Sequence, residues 1–297
     1  MNAVQDLKKL HIGKIINNPS LKDYTTYKLF GSAKCIVIPD DEESLISTLK
    51  YLRENNIKHM ILGNGSNVIF NSYYDGVIIK LDNFNGLKII NNQIIVGAGY
   101  MLNKLAIRLS RLGFTGMEFA CGIPGTVGGA VYMNAGAYKS DMGYIVTSAK
   151  VLTPDYKIKI MKNKDLDFHY RSSFLQNHKD YVCLEVTITL IKGNSEEIID
   201  LIEERKRRRL ETQPLEYPSA GSVFRNPEGD YAGRLIEEIG YKGKNLGDAK
   251  VSEKHANFII NSGNAKGEDI KELINDIKFK VKEKYDIDLK VEQEFIE

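Results

Sequence analysis

A mixed helix-and-strand protein with room for two domains is what this sequence predicts. Three features carry that expectation: a length of 297 residues, a strand–helix–strand unit near the start, and a train of short strands closed by a long helix and an alternating strand. Residues 4–10 read as a short helix and 33–39 as a strand stopped by Pro39 and Asp40. Asp41 caps the next helix, where Leu45, Leu49 and Leu52 recur at helical spacing until Asn55 and Asn56 end it. Residues 58–62 complete the unit as its second strand, and the turn GNGSN (63–67) follows at once.

Short strands are expected at 76–81, 86–90 and Gln93–Gly97, broken by turns such as Asn91 and Asn92. Residues 101–112 form a helix with Leu102, Leu105, Ala106 and Leu109 on one face and Gly113 as its stop. The segment 116–138, GMEFACGIPGTVGGAVYMNAGAY, is too glycine-rich for a comfortable helix. It reads either as a backbone cradle for a ligand, since successive N–H groups in tight turns bind anions, or as a buried turn between strands. Strands follow at Val146–Leu152, 156–161 and 182–191, with Tyr170 and Arg171 just before the last.

The domain boundary is expected at LIKGNSEE, after residue 192, with Ser195 capping a long helix that ends in the basic run 206–209. Those cations complement a helix C-terminus, a structural role that suffices, with phosphate binding as the lesser reading. Further on come the taut stretch TQPLEYPSAGSVFRNP, a short helix AGRLIEEIG, one strand in VSEKHANFIIN and a helix at 266–284. In the last strand, 286–295, Ile287, Leu289, Val291 and Phe295 share one face and Asp288, Lys290, Glu292 and Glu294 the other.

Composition narrows the function. Hydrophobic residues make up 42% and charged residues 27%, while 41 basic against 39 acidic side chains leave a net charge of +2. No global field points to nucleic acid or membrane, so an anionic partner must be held locally. Cys35, Cys121 and Cys183 lie far apart, which argues for buried thiols rather than a disulfide framework or zinc site, and no metal is expected. MNAVQDLKKLHIGK lacks the apolar core of a signal peptide, and the Gly, Pro and Asn content of 116–138 makes membrane insertion unfavourable, so a cytoplasmic enzyme is expected. GNGSN is not the dinucleotide fingerprint, because Val68 replaces the third glycine and no helix follows. Taken locally, it reads equally as an ordinary turn, Arg171 as a surface arginine and Ser222 as a turn serine.

In order, YTTYKLFG, ILGNGSNVIF, GIPGTVGGAVYMNAGAY, YRSSF, TQPLEYPSAGSVFRNP, AGRLIEEIGYKG and VSEKHANFIIN resemble the UDP-N-acetylenolpyruvoylglucosamine reductase (MurB) family, shorter subclass, over nearly the whole chain. The resemblance implies an α+β protein with the FAD-binding fold of the vanillyl-alcohol-oxidase (PCMH) type. Residues 1–192 would form the FAD-binding region, in subdomains of about 1–82 and 83–192, and 193–297 the UDP-sugar domain. FAD would be noncovalent, with NADPH as co-substrate; hydride would pass through flavin N5 to the enolpyruvyl ether of UDP-N-acetylglucosamine, giving UDP-N-acetylmuramate for peptidoglycan.

The resemblance further implies roles by position. Gly63, Asn64, Gly65, Ser66 and Asn67 would donate to the FAD diphosphate, and Gly122, Pro124, Gly125, Thr126, Gly128, Gly129, Asn134 and Gly136 would line the cofactor. Arg171 and Glu292 would stabilise an enolate-like intermediate, and Ser222 would protonate it. Arg225 and Asn226 would contact the sugar nucleotide. The tail VEQEFIE departs from the family pattern, so Glu294 competes with Glu292, which is preferred by its spacing from Leu289. Two other readings are a related FAD-dependent alcohol or lactone oxidase and a non-catalytic UDP-sugar-binding module.

Overall fold

The structure, a computed structural model, describes residues 3–297. The chain passes back and forth between two compact units. One holds the residues through Asn17, Cys35–Asn64 and Gly76–Arg207; the other holds Asn18–Lys34, Gly65–Asp75 and Arg208–Glu297.

In the first unit, strand Gly13–Asn17 pairs antiparallel with Cys35 to Pro39, and His59–Ile61 pairs parallel with Val77 to Ile79. Strand Tyr73–Ile79 is inserted between the two strands of the expected strand–helix–strand unit. The helix linking those strands, Glu42–Glu54, begins where the Asp41 carboxylate accepts the Ser44 N–H at 2.8 Å, and it buries Leu45, Leu49 and Leu52. An antiparallel five-stranded sheet, in the order Ile158–Lys162, Val146–Leu152, Val182–Thr189, Gln93–Gly97 and Leu87–Ile90, carries helices over it. Cys35, Cys121 and Cys183 are buried, and burial, with Glu185 adding to it, pushes the Cys183 thiol up to about 12.

One of the helices on that sheet overturns an expectation. Val127–Met133, in the middle of the glycine-rich segment, is helical. Two glycines cost this helix about 1 kcal/mol each in propensity. Burial of Val127, Ala130, Val131 and Met133 opposes that cost, and Thr126 caps the helix through Gly129 N–H. Gly128 is needed for proximity: a Cβ there would stand 2.8 Å from the Ala98 Cβ.

The boundary also differs from the expected one. Helix Ser195–Thr212 buries Ile198 and Ile202 in the core of the first unit, so the compact division falls inside the helix, after Arg207, instead of after residue 192. Its cap is Asn194, whose Oδ1 accepts the Glu196 N–H at 3.0 Å, and the helix continues past the basic run to Thr212.

The second unit packs helix Gly267–Tyr285 against the antiparallel strands Asn245–Leu246, Ala249–Val251 and Ile259–Asn261. VSEKHANFIIN starts on the last residue of Ala249–Val251, turns back where Phe258 N–H donates to the His255 carbonyl, and supplies the one strand expected of it, Ile259–Asn261. The terminal segment is shared between two partners. Val291 bridges to Phe224, and only Glu294–Ile296 forms a strand, parallel to Val68–Phe70. Among the described residues no helix is long and apolar enough to cross a membrane.

Candidate functional site

Within the first unit the two glycine turns meet. Asn64 Nδ2 donates to the Pro124 carbonyl at 2.6 Å, and a Cβ on Gly63 would lie 2.7 Å from Thr126 Oγ1. Lys80, with its side chain only 10% exposed, fixes the first turn by donating to the Gly63 carbonyl at 2.7 Å and pairing with Asp82. Among the described residues, the N–H groups of Gly63, Asn64, Gly122 and Gly125 donate to no protein acceptor. In the second unit the same holds for Gly65 and Ser66. Gly65 has φ +62°, and a Cβ on it would stand 2.2 Å from the Tyr24 carbonyl oxygen. Uncharged N–H donors left open on tight turns suit an anionic oxygen group.

Other expected cofactor contacts are used up inside the protein. Gly128 N–H donates to the Ala98 carbonyl at 2.8 Å and Gly129 N–H to Thr126 Oγ1 at 3.3 Å, so neither amide is open to a phosphate. Asn67 turns its Nδ2 to the Glu292 carbonyl, 3.0 Å away. Asn134 is 2% exposed; its Nδ2 donates to the His169 carbonyl and its Oδ1 accepts the Gly143 N–H.

Through that amide Asn134 holds the turn bearing Arg171. His169 and Ser172 exchange backbone bonds of 3.0 and 3.1 Å, leaving Tyr170 and Arg171 at the tip. Arg171 takes φ +55°, where such turns ordinarily place Gly or Asn, at a cost of about 1–2 kcal/mol for an L side chain. The residue is half-buried, and its guanidinium donates to the Gly136 carbonyl at 2.7 Å and lies 5.0 Å from the Tyr170 ring. Gly136 begins a hairpin whose two central residues, Tyr138 and Lys139, also have φ of +54° and +60°. Backbone strain of this kind persists where surrounding structure over-determines it, and it clusters at functional sites.

Ser222 and Glu292 lie on adjacent segments of the second unit. Glu292 N–H donates to the Val223 carbonyl at 2.8 Å and Arg225 N–H to the Lys290 carbonyl at 2.9 Å. Both Ser222 and Glu292 are half-buried, and the Ser222 hydroxyl makes no hydrogen bond to a described residue. Glu294 instead sits in the parallel strand, its N–H on the Asn67 carbonyl. Asn226 Oδ1 accepts the Ala232 N–H at 3.1 Å, at the start of helix Ala232–Glu238.

Sequence reasoning missed Lys80 and Gln293 and left Asn257 without a role. Gln293 could have been noticed: it is a polar residue in register with Leu289, Val291 and Phe295 on the apolar face, and it is buried. Beside Asn257, His255 Nδ1 accepts the Asn257 N–H at 3.2 Å, which requires the unprotonated nitrogen. Burial lowers the His255 pKa from the ordinary 6.5, with Lys242 acting in the same direction and Glu237 against it. The unfolded chain therefore binds the proton more readily, and this contribution to stability is full above pH 6.5 and lost as pH falls through the folded value. Thermal midpoints measured from pH 8 to pH 5 are expected to decline on the acid side, and His255→Gln to flatten that decline.

Comparisons with known proteins bear on this geometry. A profile described as UDP-N-acetylenolpyruvoylglucosamine reductase, C-terminal domain, matches residues 213–296, and one described as FAD binding domain matches 33–161. The UDP-N-acetylenolpyruvoylglucosamine reductase of Bacillus licheniformis is 43% identical over 99% of this chain and 98% of its own length. The crystal structure of UDP-N-acetylenolpyruvylglucosamine reductase from Thermus caldophilus superposes with a TM-score of 0.82 at 33% identity, over 95% of this chain and 99% of that one. A glucose dehydrogenase matches with a TM-score of 0.53 at 10% identity, over 66% of this chain and 45% of its own, a likeness of fold alone.

Proposed function

We propose a mechanism from one premise: the chain belongs to the UDP-N-acetylenolpyruvoylglucosamine reductase family. It is an FAD-dependent oxidoreductase that uses NADPH to reduce UDP-N-acetylglucosamine enolpyruvate to UDP-N-acetylmuramate in peptidoglycan precursor synthesis. Its fold is α+β, with the FAD-binding architecture of the vanillyl-alcohol-oxidase type. Cofactor binding is assigned to the region that holds residues 33–161 and sugar binding to the C-terminal region that holds 213–296, each supported by the profile that matches there. Two water-soluble substrates fit a cytoplasmic setting.

The open N–H donors fit FAD. Gly63, Asn64, Gly65, Ser66, Gly122 and Gly125 would hold its diphosphate, while Pro124, Thr126, Gly128, Gly129 and Gly136 shape the backbone around it. When bound, FAD supplies the hydride chemistry that connects NADPH to the enolpyruvyl group. The protein's task is the charge that hydride addition leaves on the carbon next to the substrate carboxylate. Arg171 offers that enolate a planar fork of donors, and Glu292, when protonated, donates a further hydrogen bond. Preorganised donors aimed at developing charge contribute on the order of 3–4 kcal/mol each. Ser222 gives its Oγ proton to the enolate carbon, basic enough to take it when geometry is enforced. Arg225 pairs with the sugar-nucleotide diphosphate, and Asn226 retains only its amide Nδ2 for the substrate.

The observation that carries this reading is the hydroxyl of half-buried Ser222, bonded to no described residue and next to Val223, whose carbonyl accepts the Glu292 N–H. The test is a visible spectrum of the purified protein, taken alone, after NADPH, and after the enolpyruvyl UDP-sugar. Flavin absorbance is expected, bleached by NADPH and restored by the sugar. Protein that lacks flavin and cannot be reconstituted with FAD, or that oxidises NADPH without needing the sugar, overturns it. Rapid recovery of the spectrum with oxygen alone favours an oxidase.

A further inference from the structure

The Ser222 hydroxyl bonds to no described residue, so its aim depends on the backbone beneath it. That backbone has a soft point: Gly221 takes φ +74° with nothing within 4 Å of where a Cβ would be. Two buried side-chain amides in the same unit grip the chain on either side of it. Gln293 Nε2 donates to the carbonyls of Ala220 at 3.0 Å and Gly221 at 3.3 Å, with Ser222 O at 3.5 Å. Its Oε1 is fixed by the hydroxyl of Tyr27, 3.1 Å away and fully buried. On the other side Asn257 brackets Phe224, accepting its N–H at 2.9 Å and donating to its carbonyl at 2.8 Å. The Asn257 carbonyl also accepts Val223 N–H at 2.9 Å. Gln293 and Asn257 are each 4% exposed, so no water competes for these bonds.

We infer that Gln293, buttressed by Tyr27, and Asn257 are positioning residues that clamp the Ala220–Phe224 backbone and thereby hold the Ser222 hydroxyl on the carbon it protonates. This rests on the reading of Ser222 as proton donor. A misplacement of about 1 Å in a reacting group costs on the order of 10²-fold in rate. The clamp therefore acts on the step in which substrate reoxidises the flavin, while reduction by NADPH is indifferent to it.

The test uses flavin-loaded full-length protein in single-turnover measurements of the two half-reactions. Tyr27→Phe/Gln293→Met removes both members of the buried pair together, so neither is left unsatisfied. Expected are unchanged reduction by NADPH, reoxidation by the enolpyruvyl UDP-sugar slowed about 10- to 100-fold, and a larger solvent deuterium isotope effect on that step. Equal slowing of both half-reactions, or reoxidation with the parent rate and isotope effect, overturns the clamp. Tyr27→Phe alone, which loses no volume beyond one hydroxyl, is expected to slow reoxidation about threefold or more, and parent behaviour there overturns it too.

Ser222→Ala run in parallel separates the two readings. If that variant reoxidises normally, the serine assignment fails. If it is slow and the Tyr27→Phe/Gln293→Met protein is not, the clamp alone fails. In the Ser222→Ala background the clamp substitutions are expected to add no further slowing, because residues acting through one group are not additive; added slowing there overturns the clamp.

Discussion

Ser222→Ala is expected to leave flavin content and reduction by NADPH at parental levels while slowing reoxidation by the enolpyruvyl UDP-sugar by about 10²- to 10⁴-fold, the range for a positioned general acid. The substitution removes one oxygen that bonds to no described residue, so it orphans no partner. It also leaves the backbone bonds of the neighbouring residues in place: Val223 to Asn257 and Glu292, Phe224 to the Asn257 amide. Stability should therefore change little, which allows a kinetic loss to be read as chemistry. Stopped-flow absorbance of the two half-reactions checks it. Slow reduction by NADPH would assign the serine to the wrong half, and unchanged reoxidation would remove it from the mechanism.

Gly65→Ala is expected to yield protein that has lost most of its bound FAD, at least tenfold in occupancy after gel filtration. Two effects add at this position. An alanine at φ +62° costs about 1–2 kcal/mol as a left-handed L residue. Beyond that, its Cβ would stand 2.2 Å from the Tyr24 oxygen and 2.8 Å from the Thr25 Cα, both backbone atoms that move only with their chain. The turn must shift, and with it the open N–H groups of Gly65 and Ser66. Gly86→Ala is the control, since nothing lies within 4 Å of a Cβ there. Equal flavin occupancy in the two variants would exclude the Gly65 turn from the cofactor cradle.

Much of this was legible in the residues. The Asp41 cap and the leucines behind it specify a helix whatever surrounds them, and Glu42–Glu54 is found there. The ordered motifs identify the family, and it is through that resemblance that both glycine turns are assigned to one cofactor. The final strand was half legible: its alternation is real, but an extended segment pairs only where partners exist, at Phe224 and at Val68–Phe70. Glycine count misled at Val127–Met133, because propensity weighs the isolated chain and the contact with Ala98 weighs more.

The sequence by itself determined the family, the periodic elements and the turns where backbone approaches something closely. Tertiary structure decided which amides those turns leave open, why Gly128 must be glycine, that Lys80 braces Gly63 and that the first unit extends to Arg207. It also gave Asn257 and Gln293 their work around Ser222. The reason is physical. Propensity and periodicity act between near neighbours in the chain, whereas a buried amide is satisfied by whatever the fold brings to it, as Gln293 is by Tyr27 from 266 residues away.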